Sequence, residues 1–468
     1  MDPTDKLQLT CSLNEASLRQ SDQARLIYLL AEISGGGNGQ TLPMNLGLII
    51  DVSDSMRIRL VTSEQFKDLA SSGYAHEIIT DGVPAWQIDA APPQILNQLP
   101  RRIDYLRDAL INASEYLRAT DRFSLVAFAG RAITLIPTQS GAERQQLLQK
   151  AKDLEFVSLG DGTLMDAGMS LGLEELQRHP DVQAEANLAH ASRLILLTDG
   201  HTRNVDACYA VARQARQIGL TISTMGLGTE FNEDLLIPLA DMTGGHAYYI
   251  ERPEQLPSAF HTELGAASGV RFRNLELKFR FPLGVELQRV HRVLPELGPI
   301  DPGANMEGSY ALPLGSYDPS TPPALLLELL IPAWQAGTYR LAQTLLAWDD
   351  PEAAASGGMV RQNLRQDVLA QVELSPSQTV NPHVMNLVEK VSAFKLGMQA
   401  LEEAQSGNRQ AATLRLRQAA TRLLDMGESA LGGEMLRQAE TLEKTGSIDP
   451  STTKKLRYET RRLTQKPG

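Results

Sequence analysis

Hydrophobic residues in the central part of the chain follow two alternating patterns. Short continuous apolar runs, such as Leu46 to Ile50, are separated by longer segments in which apolar residues recur three or four positions apart, as at Ile103, Leu106 and Leu110. The runs predict buried strands, and the spaced residues predict amphipathic helices. Strands that alternate with helices form a mostly parallel sheet covered on both faces, so we predict a doubly wound α/β domain here.

One predicted pair of strands departs from the parallel arrangement. The segments Phe123 to Ala129 and Ala132 to Pro137 are separated only by Gly130 and Arg131. A link of two residues permits only a hairpin. These two strands are therefore predicted to be antiparallel neighbours at one side of the sheet.

Both flanks of the α/β region alternate apolar and polar residues, as antiparallel strands do. The alternation is clear from Phe272 to Phe281, and it also occurs near the N-terminus in Leu7 to Leu13 and Arg25 to Ile33. Alone, the N-terminal strands would expose unpaired edges. We therefore predict that they pair with the strands after Val270, so that the α/β domain is inserted in an antiparallel β-sandwich.

A helical pattern returns near the C-terminus, where Val384, Leu387 and Val391 recur at helical spacing. The predicted domains are a β-sandwich at 1–43 and 270–375, an α/β domain at 44–269 with an insert at about 57–100, and a helical region at 377–468. Basic residues crowd the chain end: Lys454, Lys455, Arg457, Arg461, Arg462 and Lys466. We expect them to form a solvated helix face, with a partner-binding tail as the alternative.

Composition and charge exclude several classes of protein. The 468 residues are 42% hydrophobic and 21% charged, as in ordinary globular proteins. Apolar stretches such as Ala324 to Trp334 are shorter than the roughly 20 residues of a membrane span, and the N-terminus lacks a secretory pattern, so a cytoplasmic protein without a membrane span is expected. A net charge of −12 disfavours nucleic acid as a partner. Cys11 and Cys208 are expected to be buried free thiols.

Three segments of the α/β domain carry oxygen-bearing side chains after predicted strands or at a helix start. They contain Asp51, Ser53 and Ser55 after the first strand, Thr163 at a helix start, and Asp199 after a later strand. Ligands bind at the carboxyl ends of strands in open α/β sheets, so all three segments fit the same edge. Hydroxyl and carboxylate oxygens suit Mg²⁺, Mn²⁺ or Ca²⁺, and the small number of carboxylates favours octahedral Mg²⁺.

At these positions the chain resembles the von Willebrand factor A family, whose metal-ion-dependent adhesion site consists of Asp-x-Ser-x-Ser, a distant Thr and a distant Asp. The resemblance covers about half of the chain. It implies direct coordination by Ser53 and Ser55, direct or water-mediated coordination by Thr163, and mainly water-mediated roles for Asp51 and Asp199. It also implies that an Asp or Glu of a protein partner completes the coordination. In the alternative interpretation, the serines form only a turn and Asp199 only caps a helix.

One segment departs from the family pattern. Where a short loop is usual, this chain runs from Arg57 to about Pro100 and contains Phe66, Tyr74 and Trp86. Because this insert leaves the serine loop itself, it must begin near the metal face. We expect a small hairpin and helix that pack on the domain, and a lid over the metal is the alternative.

Other motifs indicate enzymes only weakly. Gly168-Met169-Ser170-Leu171-Gly172 matches a hydrolase elbow, but Ser170 lies within a predicted helix instead of a strand-turn-helix. The glycines from Gly35 to Gly39 precede a strand, which indicates a flexible loop and not a phosphate cradle. A phosphohydrolase with Asp51 as nucleophile usually carries a second carboxylate two residues on, where this chain has Ser53.

We therefore predict a non-enzymatic adaptor that binds an acidic residue of a protein partner through the metal. The main alternative is a subunit of a MoxR-type or chelatase-type AAA+ ATPase assembly. Kinase or phosphatase partners would instead indicate a signalling scaffold. A metal-dependent phosphohydrolase is the least favoured alternative.

Overall fold

Strand pairing joins the two ends of the chain around a central α/β domain. The computed structural model describes residues 6–465 except 38, 62, 81–82, 89–90, 97–98, 161, 179–189, 304–307, 352–359 and 377–379. The strands are β1 (Leu7–Leu13), β2 (Leu18–Arg19), β3 (Arg25–Gly35), β4 (Met44–Asp51), β5 (Ala75–Thr80), β6 (Val83–Ile88), β7 (Arg122–Phe128), β8 (Ala132–Ser140), β9 (Ala191–Thr198), β10 (Thr221–Leu227), β11 (Ala247–Ile250), β12 (Phe272–Arg280), β13 (Glu286–Leu294), β14 (Gly298–Ile300), β15 (Ser309–Tyr317), β16 (Ala324–Ile331), β17 (Gly337–Asp350) and β18 (Val360–Glu373). The helices are α1 (Ser63–Ser71), α2 (Pro93–Leu96), α3 (Arg102–Tyr116), α4 (Gln145–Lys152), α5 (Met165–Gln177), α6 (Val205–Gln217), α7 (Glu233–Thr243), α8 (Leu256–Ser268), α9 (Pro382–Gln405), α10 (Arg409–Asp425), α11 (Ser429–Thr445) and α12 (Pro450–Arg461).

A six-stranded sheet forms the centre of the α/β domain, in the order β11-β10-β9-β4-β7-β8. Neighbouring strands are parallel except for β7 and β8, which form the hairpin that the two-residue link predicts. Every residue of β4 is buried, because α3 and α8 cover one face of the sheet while α5, α6 and α7 cover the other. The predicted doubly wound α/β fold is confirmed.

Two five-stranded sheets share one apolar core, with the orders β1-β3-β16-β13-β14 and β15-β12-β17-β18-β2. Strand β3 pairs with β16, and Leu29 lies opposite Leu327. The N-terminal strands therefore pair with strands that follow the α/β domain, as predicted. Where the domain is inserted, the backbone N–H of Leu42 donates to the carbonyl of Val270 at 2.7 Å, so its two ends meet. The residue limits given above for the three domains stay a prediction.

Helix α9 packs on the outer face of the sheet that contains β3, and α10 and α11 extend the same apolar core. Successive side chains of a strand point to opposite faces, and accordingly Leu29 enters the core between the sheets while Leu30 packs against the helices. Val384 and Leu387 of α9 belong to this second core. The predicted C-terminal helical region is confirmed. Of the described helices, none is long and apolar enough to cross a bilayer.

Helix α12 packs on α7 of the α/β domain and buries cations that we predicted to be solvated. Lys454, Arg457 and Arg461 are only 4%, 7% and 3% exposed. Their partners on α7 are Glu233, Asp234 and Asp241, respectively. The predicted solvated face is therefore wrong for these three residues, because acids of a distant helix compensate their charge. Lys455 is exposed, and Lys466 lies outside the described residues.

The insert contains the predicted hairpin and helix. Strands β5 and β6 form the hairpin, α1 precedes it and α2 follows it. The chain leaves and returns side by side, because the N–H of Leu60 donates to the carbonyl of Pro100 at 2.8 Å. Buried Leu69, Ala75 and Leu99 form a small apolar cluster within the insert. The side chain of Trp86 lies outside the described residues.

The Gly-x-Ser-x-Gly motif has a packing explanation. Ser170 lies inside α5, as predicted. At Gly168 an added Cβ would lie 2.8 Å from the ring of Phe128, and at Gly172 it would lie 2.6 Å from Ile49. The two glycines therefore allow α5 to approach the sheet closely.

The two cysteines are free thiols, as expected. Cys208 is buried and Cys11 is half-buried, so the expected burial is wrong for Cys11. Burial raises the pKa of both thiols to about 12. Neither thiol is therefore activated as a nucleophile.

Candidate metal site

Asp51 ends the central strand β4 and is fully buried. Its Oδ1 accepts a hydrogen bond from the backbone N–H of Ser53 at 2.9 Å, and its Oδ2 accepts one from the hydroxyl of Thr198 at 2.7 Å. Burial and the neighbouring charge of Asp199 raise the pKa of Asp51 to about 6. These contacts hold the carboxylate in one orientation at the carboxyl edge of the sheet.

The two serines lie on the tight turn that follows β4. A single 3-10 turn, Asp54–Arg57, begins after Ser53, and the buried side chain of Met56 anchors it. The backbone N–H of Met56 donates to the carbonyl of Ser53 at 3.0 Å. Oγ of Ser53 and Oγ of Ser55 are 3.0 Å apart. The turn therefore brings two hydroxyl oxygens together at the end of the strand.

Asp199 and Thr163 reach the same edge from two other segments. Asp199 follows β9, the parallel neighbour of β4, and its Oδ1 accepts a hydrogen bond from the hydroxyl of Ser55 at 2.6 Å. Thr163 precedes α5, and its Oγ1 lies 3.2 Å from the position that a Cβ would take at Gly200. The structure therefore places all five sequence-predicted residues at one edge of the sheet.

The chemistry of these side chains fits a hard divalent cation. The set contains three hydroxyls and two carboxylates, all of them oxygen donors. Across the described residues, no group of three or more His, Cys, Asp or Glu side chains could hold a metal ion. A site at this edge would therefore depend on hydroxyl ligands, in contrast to a carboxylate-rich calcium site or a zinc site of Cys and His.

Two residues of the site were not assigned a role from the sequence. The hydroxyl of Thr198 orients Asp51, as described above. The guanidinium of Arg102, the first residue of α3, donates through Nη1 to Oδ2 of Asp199 at 2.7 Å. The hydrophobic pattern places Arg102 near a helix start, but it contains no signal that this helix begins beside the end of β9.

Three exposed apolar side chains lie beside the candidate ligands in the chain or are connected to the serine turn by hydrogen bonds. Ile58, Phe156 and Leu164 are 56%, 78% and 41% exposed. Ile58 follows the serine turn, and Leu164 directly follows a candidate donor. Arg57 of the same turn donates hydrogen bonds to the backbone carbonyls on either side of Phe156. We call these three side chains the apolar rim.

Family models match two parts of the chain. Residues 99–262 match the von Willebrand factor type A domain, and residues 382–466 match a domain described as Sll0103-like, C-terminal alpha-helical. This chain contains a von Willebrand factor type A domain. Such domains typically bind a divalent metal ion and generally act as protein-interaction modules. The resemblance stated from the sequence is confirmed at the level of the domain.

Two curated relatives cover different shares of the chain. The uncharacterized protein sll0103 of Synechocystis sp. is 26% identical over 325 residues, which are 68% of this chain and 74% of that protein. A UPF0353 protein of Mycolicibacterium gilvum is 26% identical over 182 residues and covers 34% of this chain. The present chain spans about half, 52%, of that second relative.

Two solved structures resemble the whole chain. A von Willebrand factor type A protein from Catenulispora acidiphila has a TM-score of 0.73 at 14% identity, covering 99% of this chain and 98% of that one. The ArnB paralog VWA2 from Sulfolobus acidocaldarius has a TM-score of 0.54 at 16% identity, covering 99% and 100%. At these identities, the likeness shows the fold alone.

Proposed function

We propose that this protein is a non-enzymatic adaptor whose von Willebrand factor type A domain binds an acidic residue of a partner through Mg²⁺. The metal ligands are Asp51, Ser53, Ser55, Thr163 and Asp199, directly or through water. The observation that carries the proposal is the chain of short contacts from Ser53 to Ser55 (3.0 Å) and from Ser55 to Asp199 (2.6 Å) at the sheet edge. When bound, the ion supplies a positive centre that attracts a carboxylate.

The apolar rim supports a protein as the partner. Exposed apolar side chains next to a charged group are common at protein interaction surfaces. Phe156, at 78% exposure, has most of its ring available for contact. We infer a partner segment in which the acidic residue is flanked by apolar side chains.

The environment of Asp51 favours binding over phosphoryl transfer. A nucleophilic carboxylate must reach its substrate, whereas Asp51 is fully buried and both of its oxygens accept hydrogen bonds. Turnover of p-nitrophenyl phosphate in Mg²⁺ that disappears in Asp51→Ala would contradict the adaptor proposal.

Affinity capture from native lysate tests the metal-mediated mechanism. Wild-type protein in MgCl₂ should retain partners that are lost in EDTA and in Asp51→Ala. Asp54→Ala is the matched control, because it removes an exposed carboxylate from the same loop and should retain those partners. Calorimetry with MgCl₂ on the wild type and the two variants, without EDTA, establishes whether the loss follows metal binding.

A partner set that is the same in MgCl₂, EDTA and Asp51→Ala would refute the mechanism. The captured proteins also separate two versions of the proposal. An AAA+ ATPase would identify the chain as a subunit of an ATPase assembly, whereas a kinase or phosphatase would identify a signalling scaffold.

A further inference from the structure

A cation of the chain itself lies at the edge that carries the candidate metal ligands. Nη1 of Arg102 is 2.7 Å from Oδ2 of Asp199, and the two side chains are 18% and 0% exposed. Among the described residues, Asp199 is the carboxylate with which Arg102 pairs. Solvent screens such a pair only weakly. The positive charge of Arg102 therefore acts directly on any ion held at this edge.

Helix stability does not explain a cation at this position. Arg102 opens α3, and the positive end of the helix dipole disfavours a cation there. The buried side chains of Ile103 and Leu106 set the position of the helix start. A Cβ at Gly228, in the turn after β10, would lie 3.3 Å from Nη2 of Arg102. The guanidinium therefore extends across the sheet edge, from α3 to the loops after β9 and β10.

The charge of the site depends on this guanidinium. Both oxygens of Asp51 accept hydrogen bonds from neutral donors, whereas Asp199 takes one neutral donor and Arg102. Two carboxylates and one guanidinium carry a net charge of −1, which a divalent ion changes to +1. Without Arg102 the metal-free site would carry −2 and the metal-loaded site 0. The loaded site is thus positive because of Arg102.

We propose that Arg102 is a specificity-determining residue: it weakens the binding of the metal alone and keeps the loaded site positive, so that the loaded site favours an acidic partner. This inference rests on the proposed function, because it requires a divalent ion on the five ligands. A carboxylate that binds the loaded site restores neutrality. By linkage, the carboxylate strengthens metal binding by the same factor by which the metal strengthens carboxylate binding.

Calorimetry with MgCl₂ on the full-length protein tests the effect on the metal. Arg102→Gln removes the charge and should bind Mg²⁺ about tenfold more tightly than the wild type. Arg102→Lys keeps the charge and should stay close to the wild type. Arg107→Gln is the matched control: it removes one arginine charge from a more exposed position of the same helix and should leave Mg²⁺ affinity unchanged. Thermal unfolding verifies that each variant is folded.

Titration of the Mg²⁺-loaded protein with N-acetyl-Ala-Glu-Ala-amide tests the effect on the carboxylate, with the Gln peptide as control. The loaded wild type and loaded Arg102→Lys should bind the Glu peptide several-fold more tightly than loaded Arg102→Gln, and equal binding would overturn this part of the inference. Equal or weaker Mg²⁺ binding by folded Arg102→Gln would overturn the inference alone. If neither the wild type nor Arg102→Gln binds Mg²⁺, the proposed function fails as well.

Discussion

Gly200 shows how a missing side chain preserves the geometry of the candidate metal ligands. A Cβ at this position would lie 3.2 Å from Oγ1 of Thr163, closer than ordinary van der Waals contact. Gly200→Ala should therefore displace the threonine hydroxyl and lower Mg²⁺ affinity about tenfold, as changes behind a metal ligand commonly do. Calorimetry with MgCl₂ measures the change.

The control for this substitution is Gly265→Ala in helix α8, where an added Cβ meets no atom within 4 Å. It should leave Mg²⁺ affinity unchanged and slightly raise the unfolding temperature, because alanine favours the helix. Wild-type Mg²⁺ affinity in Gly200→Ala would show that Thr163 is not a ligand.

Glu263 is a buried carboxylate that stabilises the α/β domain. It follows the candidate metal ligands in the chain and is not one of them. It pairs with Arg193 and with His246 (3.0 Å), and it accepts hydrogen bonds from the hydroxyls of Ser223 (2.5 Å) and Tyr248 (2.9 Å). Burial alone would raise its pKa, but the charges of Arg193 and His246 outweigh burial and lower the pKa to about 2. The charged form is therefore the stable one in the folded protein.

This depressed pKa predicts a pH dependence of stability. The unfolded chain has a glutamate pKa of about 4.3, so the contribution of Glu263 is fully present above that value and is lost as pH falls toward 2. Glu263→Gln should cost about 3–5 kcal/mol at neutral pH, and its deficit should shrink in acid. Urea unfolding near neutral pH and near pH 3 measures both. Exposed Glu254→Gln should be nearly neutral, and a pH-independent deficit in Glu263→Gln would argue against the mechanism.

The positions of the candidate ligands were predictable because each follows a strand or opens a helix. The hydrophobic pattern identifies the strand that ends in Asp51 and the one followed by Asp199, and parallel strands end at the same edge. Arg102 was not predictable, because its partner lies 97 residues away. Their pairing depends on where α3 begins relative to β9, which the local pattern does not contain.

Helix α12 joins the helical region to the α/β domain through buried ion pairs. Arg461, 3% exposed, donates to both carboxylate oxygens of Asp241 at 2.6 and 2.9 Å and to Glu296 at 3.3 Å. Arg461→Met should cost about 3–5 kcal/mol, because it leaves the buried Glu296 and the partly buried Asp241 with less compensation. Urea unfolding measures the loss. Lys455→Met, an exposed cation on the same helix, should change stability by less than about 0.5 kcal/mol.

The burial of α12 could not be predicted from its own sequence. Helix α12 is rich in Lys, Arg and Thr, and such a composition is typical of a solvated face. The residues that reverse this expectation belong to α7, more than 200 positions earlier in the chain. A small loss of stability in Arg461→Met, similar to that in Lys455→Met, would show that the contact is replaceable by solvent.

At the scale of the whole molecule, the N-terminal strands predicted that one domain is inserted in another, because these strands have no neighbours of their own. The N-terminal segment alternates strongly enough to predict strands, and strands without neighbours are unstable as isolated edges. The structure supplies the neighbours, since β3 lies between β1 and β16. The order of strands within the two sheets was not predictable, because many pairings bury the same alternating residues.

The insertion predicts that the α/β domain and the sandwich tolerate separation differently. The two apolar cores of the α/β domain consist of residues within that domain, apart from Tyr458. The segment 41–269 should therefore fold alone. The fragment 270–468 lacks β1 and β3, exposes the edge of β16, and should aggregate. Size-exclusion chromatography and circular dichroism distinguish these outcomes.

Replacing 41–269 with a short Gly-Ser linker should rescue the sandwich, because Leu42 and Val270 are already joined by a hydrogen bond of 2.7 Å. The linker then spans almost no distance and restores β3 beside β16 at little entropic cost. This variant should be soluble and folded, with a lower denaturation midpoint, since α12 loses its acidic partners on α7. Its aggregation, together with soluble folded 270–468, would mean that the N-terminal strands do not complete the sandwich core.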